Sequence, residues 1–152
     1  LRGEEGFRAS LLGAVGAAQS EIRVFIDWRD GVPLTIKGTT IITRIAETKE
    51  EQGEGLGGIW RLPKNKGMLY VYPRPSFYTH NMKDMRFPLD IIWIGKDKTI
   101  VDVIENVQTD SYPEYMFVND FLAQYVLEVN AGFFERHNLK LGDPVEFSLA
   151  GS

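Results

Sequence analysis

Cysteine is absent from the 152 residues, which excludes disulfides, thiolate metal sites and a cysteine nucleophile together. Histidine occurs only at His80 and His137, too far apart to form a His-x-x-x-His type pair, and no cluster of acids compensates. No metal site and no cofactor are therefore expected. Positive charge is in deficit: 17 Lys and Arg against 21 Asp and Glu leave a net charge of −4. That balance argues against a nucleic-acid surface built on phosphate attraction. No apolar run approaches the roughly 18 residues of a membrane span. Serine nucleophile signatures are missing. The glycines Gly53, Gly55, Gly57 and Gly58 lack the preceding strand and following Lys-Ser/Thr of a phosphate-cradling loop, and read instead as a turn beside a site.

What is present is the composition of a folded globule, 43% hydrophobic and 25% charged, of a length for one ordinary domain. Residues 1–20, with the small and apolar run LLGAVGAA, read as an N-terminal extension, helical or weakly ordered, and residues 21–150 as a single β-barrel domain. Residues 22–28 (IRVFIDW) alternate like a strand, Asp30-Gly31 is a turn, and 39–46 (TTIITRIA) is β-branched. Thr48 and Glu51 have the spacing of a capping box at a helix that the following glycines keep short. Residues 67–72 (GMLYVY) form a strand expected to stop at Pro73 and Pro75. A hairpin is expected over 90–107 with its turn at 95–98, then a strand over 124–129, a short helix at 132–137 capped by Asn130, and a last strand from Val145. Without long helices between strands, a parallel βαβ sheet is disfavoured. The expected class is mainly β (α+β): a small, largely antiparallel β-barrel with one or two short helices.

Over residues 48–147 the sequence resembles domain of unknown function family 192. The motifs that carry the resemblance are Thr48 with Glu50, Gly55-Leu56, Gly67-Met68-Leu69, Met82-Lys83, Pro88-Leu89-Asp90, the stretch from Tyr125 to Gly132, and Leu141-Gly142-Asp143. It departs from that pattern at Asn81, Asp84 and Gly57-Gly58. The resemblance implies a compact β-barrel, often found in exported or lipid-anchored prokaryotic proteins, hence an extracytoplasmic setting. It implies no established reaction.

The chemistry is densest in residues 78–90 (YTHNMKDMRFPLD), a loop between strands, where binding groups tend to sit. His80, Met82, Lys83, Asp84 and Asp90 are candidate ligand-binding residues. Lys83 suits a carboxylate, a phosphate or a sugar hydroxyl, and the two aspartates suit hydroxyl groups or general-base work. Glu128 joins them if the barrel brings its strand and the Lys83 arm to a shared opening. Val126, Glu128 and Asn130 share one strand face, and Tyr125, Leu127 and Val129 the other. Tyr112, Tyr115, Met116 and Phe117 lie in an irregular loop that suits either packing on the barrel or a lid. Three functions follow: binding of a small polar ligand such as a sugar, docking of a protein partner, or acid–base catalysis by Asp84, Asp90 or Glu128.

Overall fold

The β-branched stretches form strands, and glycine, proline and Asx residues set the turns between them. The computed structural model describes residues 10–13 and 22–151. β1 (Ser10–Gly13) and β2 (Ile22–Phe25) pair antiparallel as a separate two-stranded sheet. The rest of the expected 1–20 extension lies outside the described residues.

Seven further strands form one mixed sheet: β3 (Val32–Ile36), β4 (Thr39–Ala46), β5 (Lys66–Ser76), β6 (Leu89–Ile94), β7 (Ile100–Val107), β8 (Ala123–Asn130) and β9 (Val145–Glu146). Their spatial order is β7-β6-β8-β5-β4-β3-β9. Among the described pairings only β4–β5 is parallel, and its crossover carries α1 (Lys49–Glu54) and the glycine turn. The second short helix, α2 (Phe133–Arg136), follows β8. The edge strands approach each other at one end: Thr99 bridges to Pro144, and the Val145 and Ile100 amides donate to Lys98 O at 2.8 Å and Asp143 O at 3.0 Å. The result is a half-barrel of the small, mostly antiparallel kind, with one parallel pair added. No helix among the described residues is long and apolar enough to cross a membrane.

Several strands differ from the sequence reading: residues 10–13, read as part of a helical or weakly ordered extension, form β1, and the strand read over 22–28 ends at Phe25. β5 runs on past Tyr72 through both prolines. Its pairing with β4 ends at Tyr70, and its register with β8 shifts between Val71 and Ser76, so neither proline is asked for a ladder N–H. β3 has no counterpart in the sequence reading, which passes from the Asp30-Gly31 turn to the strand over 39–46. Pro33 sits opposite Ile42 of β4, outside the stretch of β3 that pairs with β9.

Alternation along the strands builds a core on each face of the sheet. Leu69, Leu127 and Val129 pack with Ile41, Ile92, Phe133 and Phe147 on one face. Met68, Tyr70, Val126 and Trp93 face the other way, beneath Leu56, Ile59, Leu62 and Met82 of the connecting loops. With both faces covered, all six residues of β6 are buried, and Glu128, on the Val126 face, is buried too.

Asp90 holds α2 in place. Its carboxylate is fully buried and accepts from Asn106 N at 2.8 Å, Gly132 N at 3.2 Å and Phe134 N at 2.8 Å. It therefore takes the capping role that spacing assigns to Asn130, whose amide instead donates to Leu62 O at 2.7 Å. Asp90→Ala leaves three backbone donors without their acceptor, of which only Phe134 N is buried while Asn106 N and Gly132 N lie nearer solvent, so a loss of about 2 kcal/mol is expected in urea unfolding. Asp90→Asn, which keeps one acceptor oxygen, should lose about half of that. A loss under about 1 kcal/mol for the alanine variant would show that these bonds do not anchor the helix.

Candidate functional site

The capping box at α1 is formed: Thr48 Oγ1 accepts from Glu51 N at 3.1 Å, and Glu51 Oε1 accepts from Thr48 N at 3.0 Å. Gln52 ties the helix to the sheet by donating to Ala46 O at 3.2 Å and Val71 O at 3.0 Å. Gly55 then ends the helix at φ 48°, against the Tyr70 hydroxyl, where any Cβ would collide. Across from this turn, Asn81 Oδ1 accepts from Lys83 N at 2.9 Å, and Asp84 O accepts from Gly58 N at 2.9 Å. The helix with its glycine turn and the 81–86 loop thus wall a cleft of about 1110 Å³. Glu54, Lys83, Asp84 and Arg86 line it alongside Tyr70, Tyr72, His80 and Glu128.

Those last four side chains form one hydrogen-bonded chain. Glu128 Oε1 accepts from the Tyr70 hydroxyl at 3.0 Å, and Oε2 lies 2.9 Å from His80 Nδ1. His80 Nε2 lies 2.9 Å from the Tyr72 hydroxyl. A carboxylate has no proton to give, so Nδ1 carries a ring proton toward Glu128, and in the tautomer with its single proton on Nδ1 the Nε2 atom accepts from Tyr72. The Glu128 and His80 side chains are only 4% and 5% exposed, whereas Tyr72 is half-buried. His80 is held edge-on between Tyr70, with centroids 4.5 Å apart, and Trp93, 6.2 Å away. Tyr72 stacks on Tyr78 at 3.6 Å. Behind the ring, the His80 and Phe117 backbones exchange two hydrogen bonds of 2.7 and 2.8 Å. Burial, reinforced by the nearby Glu128 charge, pushes both the Tyr70 and Tyr72 phenols well above the usual tyrosine value.

The structure brings His80, Lys83, Asp84 and Glu128 to one cleft. Asp90 and Met82 lie off its lining: Asp90 is occupied by backbone donors, and Met82 is buried in the core under the loops. Tyr112, Tyr115, Met116 and Phe117 do not line it either. Sequence reasoning passed over Tyr70 and Tyr72, which read as core aromatics at strand spacing. The available signal was the alternation Met68, Tyr70, Tyr72, which puts two phenols on one face of β5. Among the described residues, no three His, Asp or Glu side chains are placed to hold a metal ion.

The raised phenol values have a pH consequence. The folded state keeps protons on Tyr70 and Tyr72 that the unfolded chain releases near pH 10, so stability from this source is complete below about pH 10 and falls as pH rises. Tyrosinate absorbance should show these two of the chain's six tyrosines ionising only with unfolding. Tyr70→Phe should remove one tyrosine from that late step alone. Six tyrosines titrating together near pH 10 in the folded protein would contradict the burial described.

Residues 32–147 match the family model described as "Uncharacterized ACR, COG1430". No curated protein matches the chain. Crystal structures similar to it include the following two. One, from Sinorhizobium meliloti 1021 and described as a "putative transcription regulator", is 28% identical with a TM-score of 0.69, over 76% of this chain and 91% of that one. The other, a protein of unknown function from Novosphingobium aromaticivorans DSM 12444, is 27% identical with a TM-score of 0.70, over 91% of this chain and 94% of that one. With its family model spanning the whole seven-stranded sheet, from Val32 to Glu146, the chain belongs to the uncharacterised family 192 of domains of unknown function.

Proposed function

We propose that the cleft binds a small, neutral, hydroxyl-rich ligand such as a sugar. The observation that carries this reading is the Tyr72 hydroxyl, set in the wall of a roomy polar cleft and backed by His80 and Glu128. A volume of about 1110 Å³ is at the upper end of small-molecule sites. Lys83 and Arg86 line the cleft together with Glu54, Asp84 and the deeper Glu128, so both signs are present and no strong excess of positive charge favours an anionic ligand. Such a lining can both donate to and accept from hydroxyl groups. Tyr70 and Tyr72 add aromatic surface beside those polar groups.

A second reading, docking of a protein partner, is favoured by a different observation. Tyr115, Met116, Val118, Phe121 and Leu122 are all exposed in the loop before β8. Asn119 ties that loop to Ser76 O and Tyr78 N, which sets the exposed Phe77 beside it.

A thermal-shift panel of neutral monosaccharides and disaccharides, nucleosides, sugar phosphates and dicarboxylates separates these readings. A neutral sugar at a hundredfold excess over its Kd should stabilise the protein by about 2.7 kcal/mol, a shift of several degrees. Tyr72→Phe and Lys83→Ala should each weaken that binding about tenfold, the equivalent of one lost hydrogen bond. Phe121→Ser should leave it unchanged. A panel with no stabilising neutral compound, or Tyr72→Phe binding as the wild type does, would overturn the sugar reading.

A further inference from the structure

The arrangement behind Tyr72 is more elaborate than a binding wall needs. A lone hydroxyl, with solvent as its second partner, suffices to contact a sugar. Here the hydroxyl ends an ordered series, carboxylate to imidazole to phenol, with gaps of 2.9 and 2.9 Å. Placing an imidazole and a carboxylate at 5% and 4% exposure is unfavourable compared with packing apolar side chains of the same volume. Each polar atom is nevertheless accounted for: Oε1 by Tyr70, Oε2 by Nδ1, and Nε2 by Tyr72. The series runs from the buried interior to a half-buried group on the cleft, so a proton can pass along it without meeting bulk water.

Resting on the reading of the cleft as a ligand site, we propose that Glu128, His80 and Tyr72 form a proton relay that makes the cleft a general-base site for a hydroxyl-bearing substrate. Tyr72 is the residue that touches the substrate, and His80 and Glu128 are positioning residues that act through it. In the step, a substrate O–H bond breaks and its proton bonds to the Tyr72 oxygen. The phenol's own proton moves to His80 Nε2, and the electron pair left on the substrate oxygen makes it a nucleophile. The imidazolium so formed faces the Glu128 carboxylate, which offsets its charge. Tyr72 thus works by passing protons, not by standing as a phenolate.

The relay can be tested with no knowledge of the natural substrate, because the same proton transfer activates the Tyr72 oxygen itself. Benzenesulfonyl fluoride serves as the probe. The Tyr72 oxygen bonds to sulfur, the S–F bond breaks with its pair on fluoride, and the phenolic proton goes to His80 Nε2. Peptide mapping by mass spectrometry of the folded protein reads the rate at each tyrosine, with Tyr115, at 63% exposure, as the unassisted reference. Base assistance of about a hundredfold should make Tyr72 react faster than Tyr115 despite its greater burial. His80→Gln should remove that advantage, Glu128→Gln should reduce it, and added imidazole should restore it to His80→Ala, which a purely structural role for the ring would not allow.

Labelling that follows exposure, with Tyr115 ahead of Tyr72 in the wild type, overturns the relay even if no His80 variant folds. So does His80→Gln labelling at the wild-type rate. The outcome is separable from that of the sugar panel: a reactive Tyr72 without a stabilising sugar removes the binding reading alone. A stabilising sugar with an inert Tyr72 removes the relay alone.

Discussion

The buried carboxyl group of Glu128 is the constraint to which the rest of the structure conforms. An acceptor of this kind, removed from water, costs several kcal/mol unless both oxygens find donors. Tyr70 supplies one donor from β5 and His80 the other from the 77–88 loop. Meeting both demands fixes three segments against one another. β5 must pair with β8 so that Met68 stands opposite Glu128. Gly67 permits that approach, since a Cβ there would lie 3.0 Å from the Glu128 carbonyl oxygen. The loop must present His80 at the right height, which its backbone pairing with Phe117 secures.

Asp90 shows the contrast. It is a second buried carboxylate, two residues from Ile92 on the strand next to β8, yet its partners are backbone amides and its bonds close within the fold. Glu128 has side-chain partners, and one of them leads outward through His80 to Tyr72. The same chemical group thus serves as a helix anchor in one place and as the base of a cleft in the other, according to what its oxygens meet. The cleft itself follows from covering the Val126 face of the sheet with two loops instead of a long helix. The glycine turn after α1 and the 81–86 loop touch at Gly58 and Asp84 and leave space beside that contact.

Local chemistry was legible in the sequence. The Thr48–Glu51 capping box is formed, and the 95–98 turn is closed by Gly95 and Lys98. The opposite facing of Leu127 and Val126 follows from alternation alone. Pairings across long stretches were not legible. His80 and Glu128 are 48 residues apart, Tyr70 and Glu128 are 58 apart, and Asp90 reaches 44 residues to Phe134. Each depends on strand register, which no local pattern encodes. For that reason the loop rich in His80, Lys83 and Asp84 was recognisable as a place for chemistry, while Tyr72 passed for a core aromatic and Asp90 for a ligand group. β5 was read as too short because its prolines look like breakers until the unpaired stretch between Val71 and Ser76 is known.

The hydrogen-bonded state of the His80 ring tests the central claim most directly. Long-range nitrogen–proton NMR of the imidazole in the folded protein reads which nitrogen carries the proton facing Glu128 and how fast it exchanges with water. The expected result is a proton on Nδ1 that exchanges slowly in the wild type and is perturbed by Glu128→Gln, with Nε2 shifting in Tyr72→Phe. A ring without a proton on Nδ1, or one whose Nδ1 proton exchanges as fast as that of a free imidazole, would contradict the chain of bonds from Glu128 to Tyr72.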